Sequence, residues 1–344
     1  MSRNEPLIEI DSARLNKRIQ DIAAIGSTLN GGSNRQALTD EDAEARSLFI
    51  SWCENSACEV RVDSMGNIFA RRSGSNPNAD PILIGSHLDT QPTGGRFDGV
   101  YGVLAGLEVI ESLNDSGIQT QAPVEVVVWT NEEGCRFDTP SMGSSVWAGL
   151  LSETDAHAQK DSQGHSVISE LERIGFLGKI DAQPFPFQAA FELHIEQGPV
   201  LEQQNTLIGV VVGTQQMSRH RLKIFGQEAH AGTTPMSLRR DPIRAFSVML
   251  PKFYSVADEH GPQSRITFGQ INCYPGAVNT VPGELEVKID LRDPRPDVHD
   301  AIAKDLCEIV ELCCSEAGLA FTFEKYWEKP SVDFDAKCIQ SVQD

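Results

Sequence analysis

Three apolar runs in this sequence each end abruptly in residues able to hold a proton or a metal ion. Pro81-Ile-Leu-Ile-Gly-Ser runs into His87, Val124 to Trp129 into Thr130-Asn131-Glu132-Glu133, and Ala189 to Leu193 into His194. In Ser86-His87-Leu88-Asp89, an extended backbone puts residues 87 and 89 on one face, so the Asp89 carboxylate can receive the second imidazole N–H. That bond would fix the tautomer of a metal-bound His87 and raise its basicity, although an isolated His-x-Asp is a weak signal. The neighbouring carboxylates Glu132 and Glu133 repel each other unless a cation lies close. One could ligate a metal while the other takes a proton from water and later hands it to a leaving nitrogen. Asp98, in Gly95-Arg96-Phe97-Asp98-Gly99, reads equally well as a helix cap or as a carboxylate bridging two metals. His194 alone reads as a satisfied core histidine. Four such residues at comparable places make one shared site the better reading.

Those side chains converge only if their strands run side by side in one direction. Open α/β sheets bind ligands at the carboxyl ends of such strands. The chain supplies helix-spaced apolar residues over 12–27, a helix opening at Thr39-Asp-Glu-Asp, and strands at 58–62 and 67–71 joined by Met65-Gly66. A further helix is expected over 99–113. The alternation implies an α/β fold, a doubly wound, mostly parallel sheet. After about residue 212 the pattern changes. Strands at 220–225, 265–271 and 284–291 and helices at 242–254 and 297–317 suggest an inserted α+β domain with an antiparallel sheet. The expected division is a catalytic domain at 1–212, returning at 330–344, and an inserted domain at 213–329.

The 344 residues suit two cores better than one. Lys and Arg number 29 against 49 Asp and Glu, a formal net charge of −20, which disfavours nucleic acid as a partner. No apolar run approaches the roughly 20 residues that span a bilayer, and the polar start lacks a secretory leader. The eight cysteines show no metal-finger spacing and read as free thiols in a reducing compartment. A cytoplasmic protein is expected.

Six segments, GSHLDTQPTGGRFDG at 85–99, NEEGCRF at 131–137, GSSVWAG at 143–149, HIEQGPVLE at 194–202, HAGTTPM at 230–236 and DLRDP at 290–294, occur in a telling order. Together they resemble the N-carbamoyl-L-amino acid hydrolase, β-ureidopropionase and allantoate amidohydrolase family, within the aminoacylase-type di-metal clan. The resemblance runs from about residue 10 to 335. It implies that His87 and His194 hold one metal, Glu133 the other, and Asp98 bridges them. Asp89 would orient His87, and Glu132 would be the base. Such ligands suit two divalent ions per subunit, Zn²⁺, Mn²⁺, Co²⁺ or Ni²⁺. The resemblance further implies an oxyanion donor at His230, acting across a homodimer formed through 213–329. It implies substrate contacts from Asn279 and Arg292, with Gln216 and Arg219 in the same pocket. Read from the residues alone, Arg292 is better explained by a surface ion pair with Asp290 or Asp293.

The family pattern ends with a Gly-rich turn and a histidine that completes the second metal position. Residues after Pro330 offer no histidine, and His299 falls in the inserted domain's helix. The expectation is therefore a C-terminally shortened chain with one nearly complete metal position, one half-built, and activity in doubt. The expected substrate is a small N-carbamoyl amino acid, with allantoate or another ureido acid next and a peptide after that. The rival of another class is a remnant that no longer catalyses.

Overall fold

The computed structural model describes residues 8–344, which divide into two compact units, one ending at Leu207 and the next starting at Ile208. In the first, Asp11 caps α1 (Ser12–Ala24) by accepting the N–H groups of Ala13 and Arg14, and Thr39 caps α2 (Asp40–Asn55). These caps satisfy donors that a helix start leaves open. A five-stranded sheet follows: β1 (Glu59–Val62), β2 (Ile68–Arg72), β3 (Ile82–His87), β4 (Val124–Trp129) and β5 (Ala189–Phe191), in the order β1-β2-β4-β3-β5. β4, β3 and β5 are mutually parallel neighbours, whereas β1 and β2 join antiparallel. The parallel part is what brings three strand ends to one edge. The unit is α/β, as the sequence led one to expect.

The helix α3 (Val100–Asp115) crosses from β3 to β4. It presents Val103, Leu104, Leu107 and Ile110, all fully buried, against Val126 and Val128 of β4. On the opposite sheet face, Phe69, Trp147 and Phe185 meet edge to face, Phe69 and Phe185 at 5.5 Å and Trp147 and Phe185 at 5.4 Å. Short helices α4 (Met142–Trp147), α5 (Glu153–Ala158), α6 (Val167–Ile174) and α7 (Val200–Gln203) complete this unit.

The second unit is built on β7 (Gln216–Phe225), β9 (Arg265–Tyr274), β11 (Glu284–Asp293) and β12 (Ala320–Lys329), all antiparallel, in the order β12-β7-β11-β9. Burial alternates strictly along β7 and β11. Leu222, Ile224, Val287 and Leu291 face α8 (Pro242–His260) and α9 (Pro296–Ala317) and close a second core. The intervening residues leave a charged face uncovered. Two short ladders flank the sheet, β8 (Ala229–His230) with β10 (Thr280–Val281) and β6 (Gly213–Thr214) with β13 (Val332–Asp333), before α10 (Ala336–Gln343). Residues 330–344, expected to return to the first unit, thus group with the second: Val332 pairs with Thr214. Among the described residues no helix is long and apolar enough to cross a membrane.

Candidate metal centre

β3 ends on His87, paired in parallel register with Trp129 of β4, so the imidazole emerges beside the turn that carries Glu132 and Glu133. His87 and Asp89 are almost wholly buried. The His87 Nδ1 lies 2.8 Å from the backbone carbonyl of Asp89. A carbonyl only accepts, so Nδ1 carries a proton and Nε2 is the ring nitrogen turned into the site. The Asp89 carboxylate, expected to take that imidazole N–H, stays 3.8 Å from Nδ1. It accepts instead the backbone N–H groups of Glu132 and Glu133, each at 3.2 Å. Asp89 therefore orients both ends of the site, through its main chain and through its side chain.

Asn131 adopts a left-handed backbone, φ 51°, which turns the chain sharply off β4. Its side-chain amide donates to the carbonyls of Phe137 and Thr139 and holds the loop that follows. Glu132 then faces His87, Oε2 to Nε2 at 3.5 Å, and Glu133 accepts from the amide of Gln91 at 3.1 Å. The helix-cap reading of Asp98 does not hold. Gly99 is the N-cap of α3 and no side chain caps it. The Asp98 carboxylate turns to His194, Oδ1 to Nε2 at 3.4 Å, and its other oxygen accepts from the Gln197 amide.

β5 is shorter than the sequence suggests and stops at Phe191, leaving His194 on an irregular segment with its side chain partly exposed. Its Nδ1 sits 2.7 Å from the carbonyl of Ile195. His194 thus repeats the arrangement of His87, with Nδ1 on a carbonyl and Nε2 turned to a carboxylate. Burial disfavours charge on His87, but the carboxylates of Asp89 and Glu132 outweigh it and raise its pKa. Burial likewise raises Glu133 and Asp89 above the usual carboxylate range. Two imidazoles that each turn Nε2 toward a carboxylate oxygen, with further buried carboxylates beside them, make a donor set fitted to divalent cations.

In the second unit, the β8/β10 ladder pairs His230 with Thr280 and bonds the Ala231 N–H to the Asn279 carbonyl, which brings His230 and Asn279 together. Arg219 and Arg292 share the uncovered sheet face and both reach Asp290, Arg292 Nε at 2.6 Å and Arg219 Nε at 3.8 Å. The ion-pair reading of Arg292 is what the geometry displays. Gln216 does not join them. It points to the helix-covered face, where its amide lies 3.1 to 3.2 Å from His299 Nδ1, Asp300 Oδ1 and Glu328 Oε1. Among the described residues His299, Asp300 and Glu328 form the one trio whose ligand atoms all fall within 4.8 Å. Glu328 is already paired with Lys325 at 2.6 Å. Gln91 and Gln197 were not singled out from sequence. Both lie inside the segments 85–99 and 194–202, which is the signal that could have found them.

The profile of peptidase family M20/M25/M40 matches residues 83–344. The chain belongs to that family. Its members are dinuclear metal hydrolases, in accord with the donor set described. The chain is 41% identical to the N-carbamoyl-L-amino-acid amidohydrolase of Rhizobium meliloti, a match that covers 97% of this chain and 80% of the relative. Identity is 36% with the enzyme of that name from Geobacillus stearothermophilus, over 94% and 80%. The allantoate amidohydrolase of Bacillus subtilis is 31% identical, over 93% and 78%. A crystal structure of a hydantoinase/carbamoylase family amidase from Burkholderia multivorans superposes with TM-score 0.90 at 42% identity, covering 98% of this chain and 82% of that one. This M20 chain is a hydrolase of linear amide C–N bonds.

Proposed function

We propose that the chain hydrolyses N-carbamoyl amino acids to the amino acid, CO₂ and ammonia, consuming one water. The observation that carries this reading is the 41% identity to an N-carbamoyl-L-amino-acid amidohydrolase across 97% of the chain, joined to a geometry suited to that chemistry. His87, His194 and Asp98 would hold one divalent ion, and Asp98 with Glu133 would hold part of a second. When bound, the ions supply Lewis-acid polarisation of the ureido carbonyl and acidify water. Glu132 takes a proton from the attacking water at its carboxylate and returns it to the departing nitrogen. Asp89 keeps Glu132 and Glu133 in place through their backbone N–H groups. His230 and Asn279 offer donors for the developing oxyanion. Arg292, with Arg219 beside it, offers a fork for the substrate carboxylate. A homodimer through 213–329 would supply His230 across the interface, in a cytoplasmic protein.

The test is a substrate panel of N-carbamoyl-L-amino acids, N-carbamoyl-β-alanine, allantoate and dipeptides, assayed with added Mn²⁺. Turnover of the carbamoyl compounds is expected, and Glu132→Gln should lower kcat about 10²- to 10⁴-fold while metal content is kept. Activity confined to dipeptides would refute the substrate assignment. Allantoate is the second reading, favoured by the 31% identity to the Bacillus subtilis enzyme.

A further inference from the structure

Arg35 lies in none of the motifs that carry the family resemblance, yet its side chain is completely buried. A guanidinium removed from water must be repaid in hydrogen bonds. Arg35 makes one of them to a short segment of the candidate metal centre and two to the end of α1. Its Nε donates to the carbonyl of Leu88 at 2.8 Å, and its backbone N–H donates to Thr90 Oγ1 at 2.8 Å. The Thr90 N–H returns a bond to the Arg35 carbonyl, also at 2.8 Å. Nη1 ties the same guanidinium to the carbonyls of Ile22 and Ile25 at the end of α1, at 3.1 and 3.0 Å.

Leu88 and Thr90 are the two neighbours of Asp89, and Asp89 fixes the His87 ring through its carbonyl and the Glu132-Glu133 backbone through its carboxylate. We propose that Arg35 is a positioning residue for the metal centre: it clamps residues 88–90, and through Asp89 sets one metal-ligating histidine, the base and one metal-ligating carboxylate together. A displaced 88–90 segment would move all three at once. The backbone of residue 35 holds Thr90 on one side of Asp89, and the guanidinium holds the Leu88 carbonyl on the other, a bond that an apolar core residue could not make. The inference rests on the proposed function.

Two variants test it in the full chain, Arg35→Lys, which keeps a charge but loses the fork, and Thr90→Val, which keeps the shape but loses the Oγ1 acceptor. The readouts are Co²⁺ titration, the visible absorption of the Co²⁺-loaded protein, and far-UV circular dichroism. Folded variants are expected to bind Co²⁺ about 10- to 100-fold more weakly, Thr90→Val less affected than Arg35→Lys, with an altered spectrum at saturation. Wild-type affinity and spectrum in both folded variants would overturn the proposal. So would a loss of fold in both, since the role would then lie in the fold. Failure of the wild-type chain to give any Co²⁺ spectrum would instead refute the metal-centre reading on which it rests.

Discussion

Gly99 carries no side chain because His87 leaves no room for one. A Cβ there would stand 2.5 Å from the imidazole Nε2, and the backbone sits at φ +65°, where an L side chain is strained. The glycine lets α3 begin directly against the ring, with Asp98 one residue earlier aimed at His194. Gly99→Ala should therefore act on both counts. The strained backbone should cost on the order of 1–3 kcal/mol, and the displaced ring should weaken metal binding more than ten-fold. Thermal melting of the metal-free protein reads the first effect, and isothermal titration with Mn²⁺ reads the second. An alanine variant with unchanged metal affinity would show that the ring has freedom this packing denies it.

Elements position these residues by packing close, and α3 is the case that touches both histidine-bearing segments. A Cβ at Gly102 would lie 2.7 Å from the Leu193 carbonyl and 2.9 Å from Ser86 Cβ, the residues just before His194 and His87. At Gly106 the nearest neighbours are side-chain methyls of Ile84 and Val126, at 3.0 and 3.2 Å. Gly102→Ala should push α3 off β3, cost about 1–3 kcal/mol of stability and depress activity further than melting alone accounts for. Gly106→Ala should leave activity near normal, because methyls can shift. Equal loss of kcat in the two variants would contradict this assignment of α3. At this scale much was legible in sequence. β3 and β4 are apolar runs that stop at ionisable residues, and a buried parallel strand leaves that trace. β5 is shorter than its apolar pattern, because Leu193 continues that pattern after the pairing with β3 has ended at Phe191. The role of the Asp89 carboxylate was not legible, since the carbonyl competes for the same imidazole N–H and backbone carries no sequence signal. The side of the sheet that Gln216 faces is not evident from an alternation that begins at His220. Extended back to 216, the same period of two puts it on the buried face with Ser218 and His220.

Two separate cores, one below Leu207 and one beyond Ile208, give the whole molecule two responses to acid, and their signs differ. In the second unit, burial and the charges of His299 and Lys325 press the pKa of His220 down from 6.5 to about 4. A histidine depressed on folding takes up its proton more readily when unfolded. Its contribution is complete above pH 6.5 and is lost as pH falls toward 4, a loss of about 3 kcal/mol at most. In the first unit, burial raises Asp63 from 3.8 to about 6, against the pull of its bonds from Asn67 and Met65. A carboxyl raised on folding binds its proton more tightly when folded. The contribution of Asp63 to the first unit therefore grows as pH falls from 6 to 4, by a similar amount, against the lowered carboxyls of Glu108, Asp161 and Glu170 in the same unit. Urea unfolding followed by tryptophan emission separates the two, because Trp52, Trp129 and Trp147 lie in the first unit and Trp327 in the second. The Trp327 midpoint should drop between pH 6.5 and 4, while the midpoint from the other three holds or rises. Replacing His220 by Gln should flatten the Trp327 trend and leave the other untouched. A Trp327 midpoint that falls just as steeply in His220→Gln would remove His220 as the cause and turn attention to the carboxylates of that unit, Asp293 first, whose bonds to Arg295 and Ser264 hold its pKa low despite burial.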